Sequence, residues 1–308
     1  MNIVFVNMRP FSHFVANGFR QRVGRILHHF IRSDRVTGLA YIWWNEETSS
    51  ARQDALPLDP MFEKVTLHEA KRRAIPLAQT LGFGQNLFRA ARLRGCVRHC
   101  EELRTEPLWI WATDPRLVLP ARRLADALGG QLACDLIDNF ALFEDMGATR
   151  KRAYKEAYPM VAALADRIVA NNVHMRAFGE MPANRFLCAM NGVDWECFHD
   201  SIVSPDPADL TAVPRPRVGF LGVLSSFTDV GLLNAVARDI PECEVVCIGP
   251  RDQSDQPLHS RIRCLGPKPY NEVASYITSL DVGLSVYRPC PATRFFDPQK
   301  VYEYLAAG

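Results

Sequence analysis

Apolar residues in the first two thirds of the chain follow two periods. NIVFVN (2–7), GLAYIWW (38–44), LWIWA (108–112), QLACDLI (131–137), RIVAN (167–171) and RFLCAM (185–190) are short, nearly unbroken apolar runs. Runs of that length suit strands buried on both faces of a parallel sheet. Between them the spacing widens. In GFRQRVGRILHHFIR (18–32) the apolar positions are Val23, Ile26, Leu27, Phe30 and Ile31, one face of a helix. Segments 116–128 and 150–165 also read as helices. Strand and helix in alternation predict parallel sheets joined by crossover helices.

The rhythm breaks at HDSIVSPDPADLTAVPRPR (199–217), a stretch of prolines and small polar residues that reads as an interdomain linker. It then restarts with RVGFLG (217–222), a helix near 228–239, CEVVCIG (243–249), RIRCLG (261–266), a helix near 270–279, DVGLSVY (281–287) and a last helix from Pro298. The expected fold class is therefore α/β, with two Rossmann-like parallel-sheet domains. They cover 1–198 and 217–308, with 199–216 between them, and the second is incomplete. A chain of 308 residues fits two domains of roughly 150 each.

Composition narrows the function little. The apolar fraction is 48% and the charged fraction 23%, ordinary globular values. A net charge of +2 makes no electrostatic case for a nucleic-acid partner. No apolar run is long enough to cross a bilayer. MNIVFVNMRPF has no basic segment ahead of its apolar run, so it reads as a first strand rather than a signal peptide. A cytoplasmic protein is expected. The nine cysteines include no CxxC and no neighbouring His at metal spacing. Cys96 and Cys100 share a helix face, Cys243 and Cys247 fall in a strand-like run, and the thiols are expected to be reduced, buried and inert.

One local bias stands out. Over 71–104, Lys71, Arg72, Arg73, Arg89, Arg92, Arg94, Arg98 and Arg104 face only Glu101 and Glu102. This is either a solvated helix face or a basic amphipathic helix that docks at the inner face of an anionic membrane.

Candidate chemistry concentrates at the end of the chain, PATRFFDPQKVYEYLAAG. Asp297 can cap a helix with Pro298 at its first position, and Gly308 suits the residue just past its C-terminus. Lys300 and Glu303 share a face of that helix. An ammonium near a helix start adds to the backbone N–H groups to make an anion site. A carboxylate one turn on can accept hydrogen bonds from vicinal hydroxyls. Phosphate beside a diol describes a nucleotide ribose; the alternative is a surface ion pair. Earlier in the chain, Asp135 and Asp138 flank the C-terminal end of a strand, the end that faces the ligand crevice in an open parallel sheet. Either could take a proton from an attacking hydroxyl or cap the next turn, and Asp138, the later of the two, is the better candidate. Arg9, His13, Asn17 and Arg20 fall in or just after the first strand–helix loop, another crevice-facing place. The GFG at 82–84 lacks a preceding strand and is given no phosphate role.

PQKVYEYLAAG (298–308) resembles the donor-binding helix of retaining GT-B glycosyltransferases of the group-1, or family 4, class. RVGFLGVLSSFTDVGLLNAVARDIPECEVVCIGP is similar to the first βαβ unit of that family's C-terminal domain, and LGPKPYNEVASYITSLDVGLSVY to the segment after it. MNGVDWECF (190–198) resembles the family's handover from the N-terminal domain, and LACDLIDNFALF (132–143) a Y-D-x-x-D-D stretch of one subgroup. The resemblance covers nearly the whole chain, least well over 45–105. It implies transfer of a sugar from a nucleotide-diphosphate donor to a glycan or lipid-linked acceptor hydroxyl with retention, in polysaccharide or glycolipid assembly. The donor is then held between the domains and no metal is needed, in keeping with the lack of a DxD motif. Glu303 matches the second Glu of the family's E-x7-E motif and would take the ribose hydroxyls, with Lys300 near the diphosphate. Gly222 either lets backbone approach a phosphate or is an ordinary turn glycine. Arg9, His13 and Arg20 fall to the acceptor side and Asp138 to the catalytic role.

Two departures qualify the match. Phe295 stands where the first Glu of E-x7-E is expected, which puts contacts to the transferred sugar in doubt. The loop GVLSSFTD has neither the Arg nor the Lys that many relatives carry there, and Arg294 is a candidate replacement. Relatives also continue beyond the position of Gly308, so a truncated reading frame or incomplete chain is expected. That leaves two other readings open: a catalytically defective or non-catalytic protein of the same fold, and a nucleotide-sugar epimerase of similar architecture.

Overall fold

The computed structural model describes residues 1–9, 11–16, 21–43, 65–69, 94–105, 107–203, 205–252 and 257–308. Asn17, Arg20, the GFG at 82–84 and positions 71–93 of the basic stretch lie outside the described residues. The chain divides into two compact units, Met1–Ala189 and Met190–Gly308.

The first unit is built on a seven-stranded parallel sheet in the order β3-β2-β1-β4-β5-β6-β7. Its strands are β1 (Asn2–Asn7), β2 (Gly38–Trp43), β3 (Val65–Glu69), β4 (Leu108–Ala112), β5 (Gln131–Leu136), β6 (Arg167–Ala170) and β7 (Phe186–Cys188). Every residue of β1 is buried, because strands pair with it on both sides. Phe5 of β1 stacks on Tyr41 of β2 at 5.7 Å, and Phe11 and Phe14 meet the Tyr41 ring edge-on. Phe5, Phe11 and Tyr41 are each at most 1% exposed, and burying each contributes about 1.5–3 kcal/mol. Phe11 and Phe14 lie on α1 (Phe11–Ala16), a six-residue helix. His13 therefore sits on a helix rather than in an open loop. Helix α2 (Arg22–Arg32) turns Val23, Leu27 and Ile31 inward, the face its spacing predicts.

The basic stretch enters the described structure at α3 (described over 94–99). There Cys96 and Cys100 face inward while Arg94 and Arg98 are exposed. Helix α4 (Val118–Leu128) ends at Gly129, and α5 (Ala148–Leu164) and α6 (His174–Phe178) follow. No helix among the described residues is long and apolar enough to cross a membrane.

The second unit carries a four-stranded parallel sheet in the order β10-β9-β8-β11. Its strands are β8 (Arg217–Leu221), β9 (Glu244–Ile248), β10 (Ile262–Gly266) and β11 (Val282–Leu284), and its longer helices α8 (Val230–Asp239), α9 (Tyr270–Thr278) and α10 (Gln299–Ala306). The boundary differs from the expected one. Helix α7 (Trp195–His199) and most of the proline-rich stretch belong to this unit. Phe198, Leu210 and Val213 are buried in one cluster with Leu221, Val246 and Ile277. Arg217 fastens the stretch, donating to the carbonyls of Leu210 and Val213 and pairing with Asp206. Leu210 and Val213 thus pin to the core of this unit a stretch whose other described residues are mostly exposed.

The nine thiols are free, and not all are buried: Cys264, on the outer strand β10, is exposed.

Candidate functional site

In both sheets the strand order reverses direction once. In the second unit β9 and β10 run outward on one side of β8 and β11 lies on the other, so the switch falls between β8 and β11. In open parallel sheets ligands bind outside the C-terminal ends of the strands at such a point. Gly222 follows β8 there, with φ 124, a backbone conformation open to glycine. Gly249 follows β9 with φ 137 and packs so closely that an ideal Cβ on it would fall 2.2 Å from the Gly222 carbonyl oxygen. The two glycines leave a notch of bare backbone at the C-terminal ends of the inner strands β8 and β9.

Lys300 fills the space above that notch. Its Nζ is 3.1 Å from where a Cβ on Gly222 would stand and 3.7 Å from the centre of the Phe220 ring. The Tyr287 ring centre is 5.0 Å away. The residue is 9% exposed, yet its ammonium makes no hydrogen bond or salt bridge among the described residues. Among the described residues the faces of two aromatic rings and the fields of Glu303 and Cys247 support the charge. Burial consequently lowers its pKa to about 7, against the pull of Glu303. An under-compensated cation over glycine backbone is an arrangement that an anion completes.

Glu303, one turn further along α10, is 2% exposed. Both residues are therefore inward-facing, and the surface-ion-pair alternative does not hold. The helix around them is anchored elsewhere than expected. Asp297 does not cap it; Pro298 occupies the N-cap position without a side-chain bond. The Asp297 carboxylate instead accepts from the Asn191 N–H at 2.5 Å and from the Tyr302 hydroxyl at 2.6 Å. Tyr304 reaches the sheet, accepting from the Leu221 N–H and donating to the Leu284 carbonyl. Gly308 has φ 87, just past the C-cap Ala307, as its position in the sequence implies. Arg294 lies exposed on the 3-10 turn Thr293–Phe295 that precedes α10. Phe295, at the position where a Glu was expected, is 7% exposed and points into the protein.

In the first unit the switch lies between β1 and β4. Arg9 and His13 come together just beyond β1, the guanidinium 2.9 Å from His13 Nε2. Burial, then the Arg9 charge, hold the imidazole below its ordinary range. Tyr41 fixes the loop by donating to the Arg9 carbonyl at 2.6 Å. Asn7 and Thr113, which the sequence reading passed over, meet at 2.6 Å where β1 and β4 end.

Asp138 follows β5 and is half-buried in the left-handed region, with φ 53. Its N–H donates to Asn171 Oδ1 and its carbonyl accepts from Tyr158. A non-glycine residue there is strained, and two buried side chains hold it. Asp135, by contrast, is a structural residue. It is completely buried and takes Arg22 through Nη2 at 2.8 Å and Nε at 3.1 Å, while Arg22 Nη1 donates to the Ala189 carbonyl. Burial pushes the Asp135 carboxyl up against the pull of that guanidinium. Neither aspartate caps a helix. Among the described residues no group of three or more His, Cys, Asp or Glu is placed to hold a metal.

No family model matches the chain. The "Putative teichuronic acid biosynthesis glycosyltransferase TuaH" of Bacillus subtilis (strain 168) is 25% identical over 169 residues, covering 52% of this chain and 43% of that protein. The chain thus spans less than half the length of the curated relative it matches. Among solved structures, Anabaena Alr3699/HepE in complex with UDP aligns over 100% of this chain and 79% of its own, at 14% identity and TM-score 0.65. The lipopolysaccharide outer core galactosyltransferase WaaB, in its apo form, aligns over 92% and 73% at 14% identity and TM-score 0.57. An α,α-trehalose 6-phosphate synthase from Burkholderia multivorans aligns over 99% and 79% at 14% identity and TM-score 0.54. At these identities the likeness is one of fold: the chain has the α/β architecture of parallel-sheet units found in GT-B glycosyltransferase structures.

Proposed function

We propose that the chain is a glycosyltransferase that moves a sugar from a nucleotide-diphosphate donor to an acceptor hydroxyl, with retention, in polysaccharide or glycolipid assembly. One observation carries the reading: a buried ammonium, Lys300, without a bonded counter-charge among the described residues, above the bare backbone of Gly222 at the C-terminal end of a parallel sheet. The names of TuaH and WaaB and the UDP bound by HepE support it.

In this reading the donor diphosphate settles on Gly222 and Lys300, and the amine regains its full charge as it gains a partner. That charge then stabilises the diphosphate as it leaves the sugar, an electrostatic contribution supplied without reorganisation. Glu303 accepts hydrogen bonds from the ribose hydroxyls, and Arg294 adds a cation at the rim. Asp138, held in a fixed strained conformation, takes the proton of the attacking hydroxyl. Arg9 and His13, with Arg20, contact the acceptor. The exposed Arg94 and Arg98 of α3 extend the basic stretch that would meet a membrane carrying a lipid-linked acceptor. No step calls for a metal.

Phe295 favours a second reading, nucleotide binding without transfer, since a phenyl ring cannot make the sugar contacts of a carboxylate. Product analysis separates the two. Incubation with radiolabelled UDP- and GDP-hexoses and membrane lipid extract should place label in the acceptor fraction, and Asp138→Asn should abolish it. Donor binding with no labelled acceptor would establish the second reading, and epimerised free donor would replace both.

A further inference from the structure

We propose that Cys247 and Cys264 form a redox-active dithiol, which peroxide or disulfide oxidants close to a disulfide bond within the folded second unit. The inference goes beyond the donor-binding reading and does not depend on it. It starts from register. β9 and β10 run parallel, and Cys247 and Cys264 are direct partners across them. On its other side Cys247 is partnered by Phe220 of β8, the ring on which the Lys300 ammonium rests. Phe220, Cys247 and Cys264 therefore form one cross-strand row near the C-terminal ends of the strands.

Burial places the row on one face of the sheet. Phe220, Cys243, Val245, Cys247 and Ile262 share a buried cluster. Cys264 stands two residues after Ile262 and so points to the same side of β10. Leu265, the next residue, packs into the cluster on the other face. The Cys264 thiol lies within hydrogen-bonding reach of the Cys247 thiol. Paired strands lie about 4.7–4.9 Å apart, inside the Cα separation of about 4.4–6.8 Å that bridged cysteines span. Their Cβ atoms must close to about 3.5–4.5 Å. β10 can yield that movement. Among the described residues it has a neighbour on one side only, and its register shifts between Cys264 and Gly266.

The two thiols differ in access, and this sets their roles. Cys264 is exposed, whereas Cys247 is buried. Burial, then the neighbouring Cys264, push the Cys247 thiol up to about 12, against the field of Lys300. Cys247 waits as a protonated thiol, and Cys264 meets the oxidant. With hydrogen peroxide, the Cys264 sulfur forms an S–O bond as the O–O bond breaks, which leaves a sulfenic acid and a water. The Cys247 sulfur then attacks that sulfur. The S–S bond forms, the S–O bond breaks, and the hydroxyl leaves with the Cys247 proton as a second water. The pair gives up two electrons, and the peroxide ends as two waters.

The test is peptide mapping by mass spectrometry. The full chain in native buffer is exposed to equimolar hydrogen peroxide, then alkylated with iodoacetamide in urea and digested. The expected result is that Cys247 and Cys264 lose alkylation together, that their peptides appear joined, and that dithiothreitol restores both labels. Cys264→Ser should leave Cys247 fully alkylated after the same treatment. Cys247→Ala should leave Cys264 as a sulfenic acid that dimedone traps; should that variant fail to fold, Cys264→Ser alone serves as the control. Oxidation of Cys264 with Cys247 still alkylated in wild type would overturn the proposal. So would a link from Cys264 to any other cysteine, retention of both labels, or a Cys247–Cys264 link that forms only when peroxide is added in urea.

Discussion

Replacing Lys300 with methionine should make the protein more stable and a worse nucleotide binder. Lowering the ammonium pKa from 10.5 to about 7 corresponds to about 5 kcal/mol of destabilised charge in the fold. That figure is what remains after the ring faces of Phe220 and Tyr287 and the field of Glu303 have offset part of the burial penalty. Methionine keeps the unbranched stem and packs a polarisable sulfur on the same rings. A net gain on the order of 3–5 kcal/mol is expected at pH 6, where folded and unfolded chains both hold the Lys300 proton. Between about pH 7 and 10.5 the unfolded chain still holds it and the folded chain does not. Wild-type stability therefore rises with pH across that window, and the advantage of the methionine variant shrinks. Affinity for UDP or GDP should fall about 10- to 150-fold, the worth of one lost charge-assisted bond of 1.5–3 kcal/mol. Urea denaturation at pH 6 and pH 9, with nucleotide titration of the same samples, measures both. A variant less stable than wild type at pH 6, or one that binds nucleotide as tightly, would refute the reasoning.

Other substitutions test other parts of the structure. Asp135→Ala strands the Arg22 guanidinium in a buried position and should cost about 3–5 kcal/mol by chemical denaturation. Gly249→Ala drives a Cβ into the Gly222 carbonyl at a φ of 137, and should lower both stability and nucleotide affinity, whereas Gly192→Ala, with open space around it, should lower neither. Glu303→Ala should weaken binding of nucleotides with a ribose diol more than binding of their 2′-deoxy forms, read by competition titration.

The strands were the most legible part of the molecule. NIVFVN and LWIWA match β1 and β4 residue for residue, because both are inner strands whose apolar runs are unbroken between neighbours on either side. β3 escaped notice because VTLHE alternates apolar and polar residues and sits at the sheet's edge. DVGLSVY is regular only over Val282–Leu284, since its later residues leave the sheet to meet the loop after β8. The proline-rich 199–216 concealed Leu210 and Val213, whose burial depends on partners distant in the chain. The shared face of Lys300 and Glu303 and the place of Gly222 after β8 could be read from helical spacing and from a glycine following a strand. The bridge between Thr228 and Tyr287 carries no local signal; it follows from the pairing of β11 with β8, which only the tertiary structure displays.

Central to the proposed donor site is a Lys300 ammonium that a diphosphate completes. Calorimetry of UDP and GDP binding near pH 7.5, repeated in buffers of different ionisation enthalpy, counts the protons exchanged. Binding of one of the two with uptake of up to about one proton is the predicted result, as the partly neutral amine is recharged. Tight binding with no proton uptake would contradict it.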